Sequence, residues 1–228
     1  MVKNLFTNLP IRALTLLPCL SSFRYGQRSL LLKRLFRPRF IGRQLVKLES
    51  GAEFKRLGVT DIISVSACGS FREEMAPGDF VIIDQFIDRT FAREKSLFGQ
   101  GCVAHVSMAY PVSPKLVDQV EMAARAEDLK YRRGGTYLAM EGPQFSSLAE
   151  SHLYRSWGCD VIGMTNMPEA KLAREAEICY ATVAMITDYD SWHPDHGEVD
   201  IQSIIKVLRE NAGNAQRLVA CIARDLPR

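Results

Sequence analysis

Two carboxylates set two residues apart, Asp188 and Asp190, close the stretch Ile178–Asp190, I-C-Y-A-T-V-A-M-I-T-D-Y-D. The apolar part is rich in β-branched and small residues, the pattern of a strand buried on both faces. The aspartates then fall where such a strand runs out into a loop. Ligands of open α/β sheets collect at the carboxyl ends of strands, where loops carry polar groups over a rigid base. A carboxylate there can accept hydrogen bonds from a ligand N–H, or donate a proton if its pKa is raised. The competing reading of the same pair is a cap for the next helix, or two solvated side chains.

Three further stretches carry groups of the same kind. Val59–Val65 reads as a buried strand that breaks into a turn, S-A-C-G-S, at Ser66–Ser70. Small residues there let backbone N–H groups approach an anion, and Ser66 adds a hydroxyl; a plain tight turn has the same signature. Gly135–Met140 reads as a strand running into E-G-P-Q-F-S-S, which sets Glu141 and the Phe145 ring at a strand end. A planar ligand would need such groups, yet Glu141 as a brace and Phe145 as core fit equally. Asp160–Gly163 is a short strand leading to Met164 and Thr165. His105 stands alone in a polar loop, the usual place of a solvated histidine. His193, Asp195 and His196 share one loop and could ligate zinc, but no fourth ligand is evident, so a solvated loop is the preferred reading and no metal is expected.

These groups need elements to hold them. Phe80–Phe86 reads as one strand after the Pro77-Gly78-Asp79 turn. Pro114–Leu129 has apolar residues at helical spacing behind Ser113 as N-cap, Ser147–Trp157 is a helix stopped by Gly158, and Pro168–Ala176 is a short one. Ile201–Ala223 carries a long apolar stripe. Alternating strands and helices define an α/β class.

The 228 residues suffice for one large domain. The formal charge of +3 conceals a split. Residues 1–48 hold ten Lys/Arg and no acid, leaving 19 basic and 26 acidic side chains, a net of −7, for the rest. A nucleic-acid partner is not expected of that mildly acidic part. Residues 1–50 therefore read as a basic, atypical segment ahead of a domain at 51–228; an Arg- and Ser-rich, acid-poor start also suits a mitochondrial transit peptide, a basic surface arm or a mis-framed start. Six cysteines without C-x-x-C spacing read as buried free thiols in a reducing, cytoplasmic setting. No apolar run reaches the roughly 20 residues that span a bilayer, so no membrane partner is expected.

Taken together, V-S-A-C-G-S-F-R-E-E at 65–74, P-G-D-F-V-I-I-D-Q-F-I-D-R-T at 77–90, E-G-P-Q-F-S-S at 141–147, G-M-T-N-M-P-E at 163–169 and T-D-Y-D at 187–190 resemble the purine nucleoside phosphorylase superfamily of trimeric type. The likeness runs from about Lys55 to Arg228 and is closest to the S-methyl-5′-thioadenosine phosphorylase family. It implies a single α/β domain with a mixed, twisted sheet flanked by helices. The implied reaction is phosphorolysis of S-methyl-5′-thioadenosine to adenine and 5-methylthioribose-1-phosphate, with inorganic phosphate as co-substrate and no cofactor. Inosine or guanosine phosphorolysis, and a catalytically weak purine binder, are the alternatives. By the same resemblance Ser66, Ala67 and Thr165 bind phosphate, Met164 packs on ribose and base, and Phe145 lines the purine pocket. Asp188 is the acid at N7 and Asp190 a contact to the 6-amino group. Ser146 and Ile201 shape specificity, and His105 reaches a neighbouring subunit's site in a homotrimer. The family's Gly-Gly-Thr/Ser loop and Arg-His pair have no match in residues 1–50, which predicts weakened phosphate binding.

Overall fold

The computed structural model describes the backbone of residues 12–17, 20–25 and 28–34, and residues 55, 58–99, 101–195 and 201–225 with their side chains. Its frame is two adjacent parallel strands, β4 (Asp61–Ser70) and β10 (Cys179–Tyr189). Both are apolar along most of their length because both are covered: Ile62, Ile63, Val183, Ala184 and Ile186 are all at most 2% exposed. Burying such a side chain contributes roughly 1.5–3 kcal/mol, so these two strands anchor the fold.

The remaining strands are β1 (Arg12–Leu17), β2 (Leu20–Tyr25), β3 (Arg28–Arg34), β5 (Phe80–Ile83), β6 (Gln85–Asp88), β7 (Tyr131–Arg133), β8 (Thr136–Ala139) and β9 (Val161–Gly163). The sheet order is β1-β2-β3-β4-β10-β5-β7, and β9 joins the end of β4 to β8, which pairs β6. The sheet is mixed: β10 runs parallel to β4 and antiparallel to β5. β3 lies parallel to β4, with Lys33 opposite Ser64 and Arg34 opposite Val65. Part of the basic segment 1–50 thus extends the same sheet; its residues 1–11 and 35–50, and with them much of the targeting and phosphate-arm readings, lie outside the described residues.

Helix α1 (Pro114–Ala126) starts where the Ser113 hydroxyl accepts from the Leu116 N–H, and it buries Leu116, Val117, Val120, Ala123 and Ala124. Helix α2 (Leu148–Ser156) opens with a reciprocal capping box between Ser147 and Glu150. Helix α3 (Glu169–Glu175) is short, and α4 (Ile201–Asp225) packs against α1 and β10 along its apolar stripe. A second, smaller core of Phe71, Leu138, Tyr154, Cys159, Ile162 and Trp192 lies under α2.

Two strand expectations are corrected, and one strand is added. The strand from Val59 does not break at Ser66 but runs to Ser70, because β10 and β9 pair with its far end. The stretch Phe80–Phe86 is two strands divided at Asp84, one beside β10 and one beside β8, so a single apolar run serves two parts of a curled sheet. Tyr131–Arg133 is a further strand, added by pairing with β5 despite its polar sequence. Five cysteines are free thiols, but Cys102 and Cys179 are exposed; Cys19 lies outside the described residues. No described helix is long and apolar enough to cross a membrane.

Candidate active site

The four stretches supply two clusters of side chains, with Ser66 inside β4 rather than at its end. On β4 the Ser66 hydroxyl, 1% exposed, lies 2.8 Å from Thr165 Oγ1 and 3.3 Å from the hydroxyl of Tyr137 on β8. Tyr137 also accepts from the Thr165 N–H at 3.4 Å. Three hydroxyls from three segments therefore meet at one point, a donor cluster suited to an oxyanion. Gly163 makes room for it, since a Cβ there would overlap the Tyr137 hydroxyl. Burial pushes the Tyr137 phenol well up, so it stays a neutral donor. Burial likewise pushes the Cys68 thiol up to about 12, which excludes it as a nucleophile.

The second cluster holds the carboxylates. Asp188 lies opposite Gly69 across the β10–β4 ladder, just after a bulge at Ile186–Asp188. Burial, with the nearby charge of Asp190, pushes its pKa up to about 6 against the hydrogen bond from the Thr187 hydroxyl at 2.5 Å. Asp190 is 3% exposed; burial raises its pKa too, opposed by the Ser146 hydroxyl at 2.7 and 2.5 Å from its two oxygens. Neither aspartate is a helix cap; Asp190 is buried and Asp188 half-buried. Gly69 keeps them close, since a Cβ there would stand 3.1 Å from Asp188 Oδ2 and 3.4 Å from Asp190 Cβ. Along β4, Gly69 is three residues beyond Ser66, roughly 10 Å at the rise of a strand.

Two loops enclose this space. In the loop after β8 Phe145 is 44% exposed, hence not core. Glu141 is a brace: its Oε2 accepts from the N–H groups of Phe91 and Ala92 at 2.8 and 3.2 Å. Burial works against its charge, but those bonds and the Arg93 guanidinium hold its carboxyl below the usual range. The loop after β9 carries Met164 and Thr165; Gly142, at φ +69°, leaves Met164 its space, since a Cβ there would lie 2.5 Å from the Met164 sulfur. Ala67 is half-buried on β4, while His105 is exposed in the coil between β6 and α1, and Ile201 is 57% exposed at the start of α4. His193 is buried rather than solvated, stacked on Tyr189 at 4.5 Å and 3.2 Å from Glu73 Oε2. No metal-binding group of three or more His, Cys, Asp or Glu occurs among the described residues, and His196 is not among them. Tyr137 and Arg93 belong to the site without having stood out: one looks like an ordinary strand residue, the other like part of a charged loop.

An α/β sheet that gathers hydroxyls and carboxylates beside its loops has the arrangement of a ligand-binding site. The chain belongs to the phosphorylase superfamily, which it matches over residues 25–224. It is 74% identical over 166 residues to the S-methyl-5′-thioadenosine phosphorylase of Cereibacter sphaeroides, covering 73% of this chain and 57% of that protein. It thus spans about three fifths of the length of the curated relatives it matches. Its fold is similar to the crystal structure of a methylthioadenosine phosphorylase from an antarctic soil metagenomic library, with a TM-score of 0.81, 40% identity and coverage of 97% of this chain and 82% of the other. A methylthioadenosine phosphorylase from Schistosoma mansoni in complex with adenine has a TM-score of 0.82 at 26% identity, covering 98% and 87%.

Proposed function

We propose that this protein catalyses phosphorolysis of S-methyl-5′-thioadenosine, giving adenine and 5-methylthioribose-1-phosphate. The observation that carries this reading is the carboxylate pair on β10, Asp190 buried and Asp188 half-buried, set beside Gly69 on the same strand β4 that brings Ser66 to Tyr137 and Thr165. Phosphate held by Ser66, the Ala67 backbone and Thr165 attacks C1′ of the ribose. The C1′–N9 bond breaks, its electron pair passes to the purine, and Asp188 delivers the proton to N7. A pKa of about 6 instead of 3.8 leaves on the order of a hundredfold more protonated carboxyl at neutral pH than an exposed aspartate would have.

Asp190 sets the base. Its carboxylate, fixed by Ser146, accepts from a 6-amino group but opposes the lone pairs of a 6-oxo group. An unpaired buried acceptor costs about 1–3 kcal/mol, so a preference of tenfold or more for the 6-amino purine follows. Calorimetry with adenine and hypoxanthine, and turnover of methylthioadenosine and inosine, test this. Equal or reversed preference would end the 6-amino reading and favour inosine or guanosine.

The same reading includes a homotrimer. Phe91, Val103 and Tyr110 are 82%, 77% and 76% exposed on the coil that also carries His105, an apolar surface suited to a second copy. Light scattering at micromolar concentration is expected to give about three times 25.6 kDa; a monomer would refute it. A reducing, cytoplasmic setting fits the five unpaired described cysteines, and cell fractionation checks it.

A further inference from the structure

A guanidinium has five N–H groups, and in Arg93, whose side chain is 4% exposed, all five are used. Nε donates to Glu141 Oε1 at 3.2 Å. Nη1 donates to the carbonyls of Met164 and Met167 at 2.8 and 2.7 Å. Nη2 donates to the carbonyls of Met140 and Glu141 at 3.3 and 2.8 Å. Met140 and Glu141 open the loop that carries Phe145 and Ser146; Met164 and Met167 bracket Thr165. One side chain from a third segment thus ties the loop on the base side to the loop on the sugar and phosphate side.

We propose that Arg93 is a positioning residue that locks these two loops into one fixed relation, and so sets base and phosphate subsites together. It touches neither substrate. Only a planar fork with five donors serves four carbonyls and a carboxylate at once; the three donors of a lysine leave at least two acceptors unmatched. The Arg93–Glu141 pair closes the clamp, because the other Glu141 oxygen fixes the segment bearing Arg93 through Phe91 and Ala92. The role in catalysis rests on the phosphorolysis reading above, but the coupling of the loops does not.

The test compares Arg93→Lys with the parent by hydrogen exchange and by kinetics. Exchange is expected to quicken at least about tenfold in both peptides, 139–146 and 163–168, while β10 keeps its protection. In kinetics the KM values for nucleoside and for phosphate should rise together, by about tenfold each, with kcat falling as well. A stabilising contact without a positioning role would lower the unfolding midpoint and leave both KM values in place. Should Arg93→Lys fail to fold, Glu141→Gln is measured by the same criteria, with a smaller rise expected in the same two peptides. Unchanged exchange, or faster exchange in one loop alone, overturns the proposal. A parent protein that turns over no purine nucleoside refutes the phosphorolysis reading instead, and the exchange result still decides the coupling.

Discussion

Asp188→Asn is expected to cut phosphorolysis by roughly a thousandfold while making the protein more stable at neutral pH. The loss follows from the role proposed for the side chain: an amide cannot deliver a proton to N7, and positioned general acids contribute about 10²–10⁴ in rate. The gain follows from burial. A carboxyl whose folded pKa is raised binds its proton more tightly folded than unfolded. The stability it contributes is complete below about 3.8 and is lost as pH rises through about 6. A shift of that size corresponds to about 3 kcal/mol of penalty at pH 7–8, and the asparagine variant escapes much of it. Thr187 can still donate to the amide oxygen, so the local bonding survives. Urea unfolding at pH 4 and pH 8 should therefore give similar parent and variant stabilities at the lower pH, with the variant ahead at the higher. A variant retaining a tenth or more of parental turnover would remove Asp188 from the acid role. A stability difference that does not change with pH would mean that Asp188 is hydrated in solution.

Gly163→Ala is expected to be the most damaging single methyl in the sheet, at about 3 kcal/mol. The added Cβ overlaps the Tyr137 hydroxyl and lies 2.7 Å from its Cζ. Tyr137 has no way out, being 0% exposed and packed against Phe86 at 5.8 Å between ring centroids. Overpacking of this kind costs typically 1–3 kcal/mol, and displacing the hydroxyl also strips a partner from Ser66 and Thr165. The phosphate KM should rise by about tenfold with the nucleoside KM less affected, in contrast to the joint rise expected at Arg93. Because the nearest atom met is the Tyr137 oxygen, the alanine should cost less in a Tyr137→Phe background, so a double-mutant cycle should show coupling. Additive effects in urea unfolding would show that the sheet shifts to accommodate the methyl, and that the hydroxyl cluster is not held by Gly163.

Local pattern was enough for the elements whose burial is one-sided or complete. The spacing Leu116, Val117, Val120, Ala123, Ala124 makes α1 amphipathic whatever it packs on, and Ser113 and Ser147 start their helices through bonds closed within three residues. The apolar run ending in Asp188 and Asp190 likewise identified β10 and the place where carboxylates leave it. Family motifs picked out Ser66, Thr165 and the two aspartates, but not the Tyr137 hydroxyl that completes the cluster.

Tertiary structure decided whatever depends on partners distant in sequence. Ser66–Ser70 has the composition of a turn, yet it is strand because β10 and β9 satisfy its backbone. Glu141 was equally a ligand contact or a brace until Phe91, Ala92 and Arg93, some fifty residues away, claimed its oxygens. His193 looked solvated because its stacking on Tyr189 and its contact with Glu73 cannot be read from the loop that holds it. The raised pKa of Asp188 is a property of the enclosure, not of the residue: the sequence by itself determined which groups stand at the strand ends, and burial determined which of them can hold a proton at neutral pH.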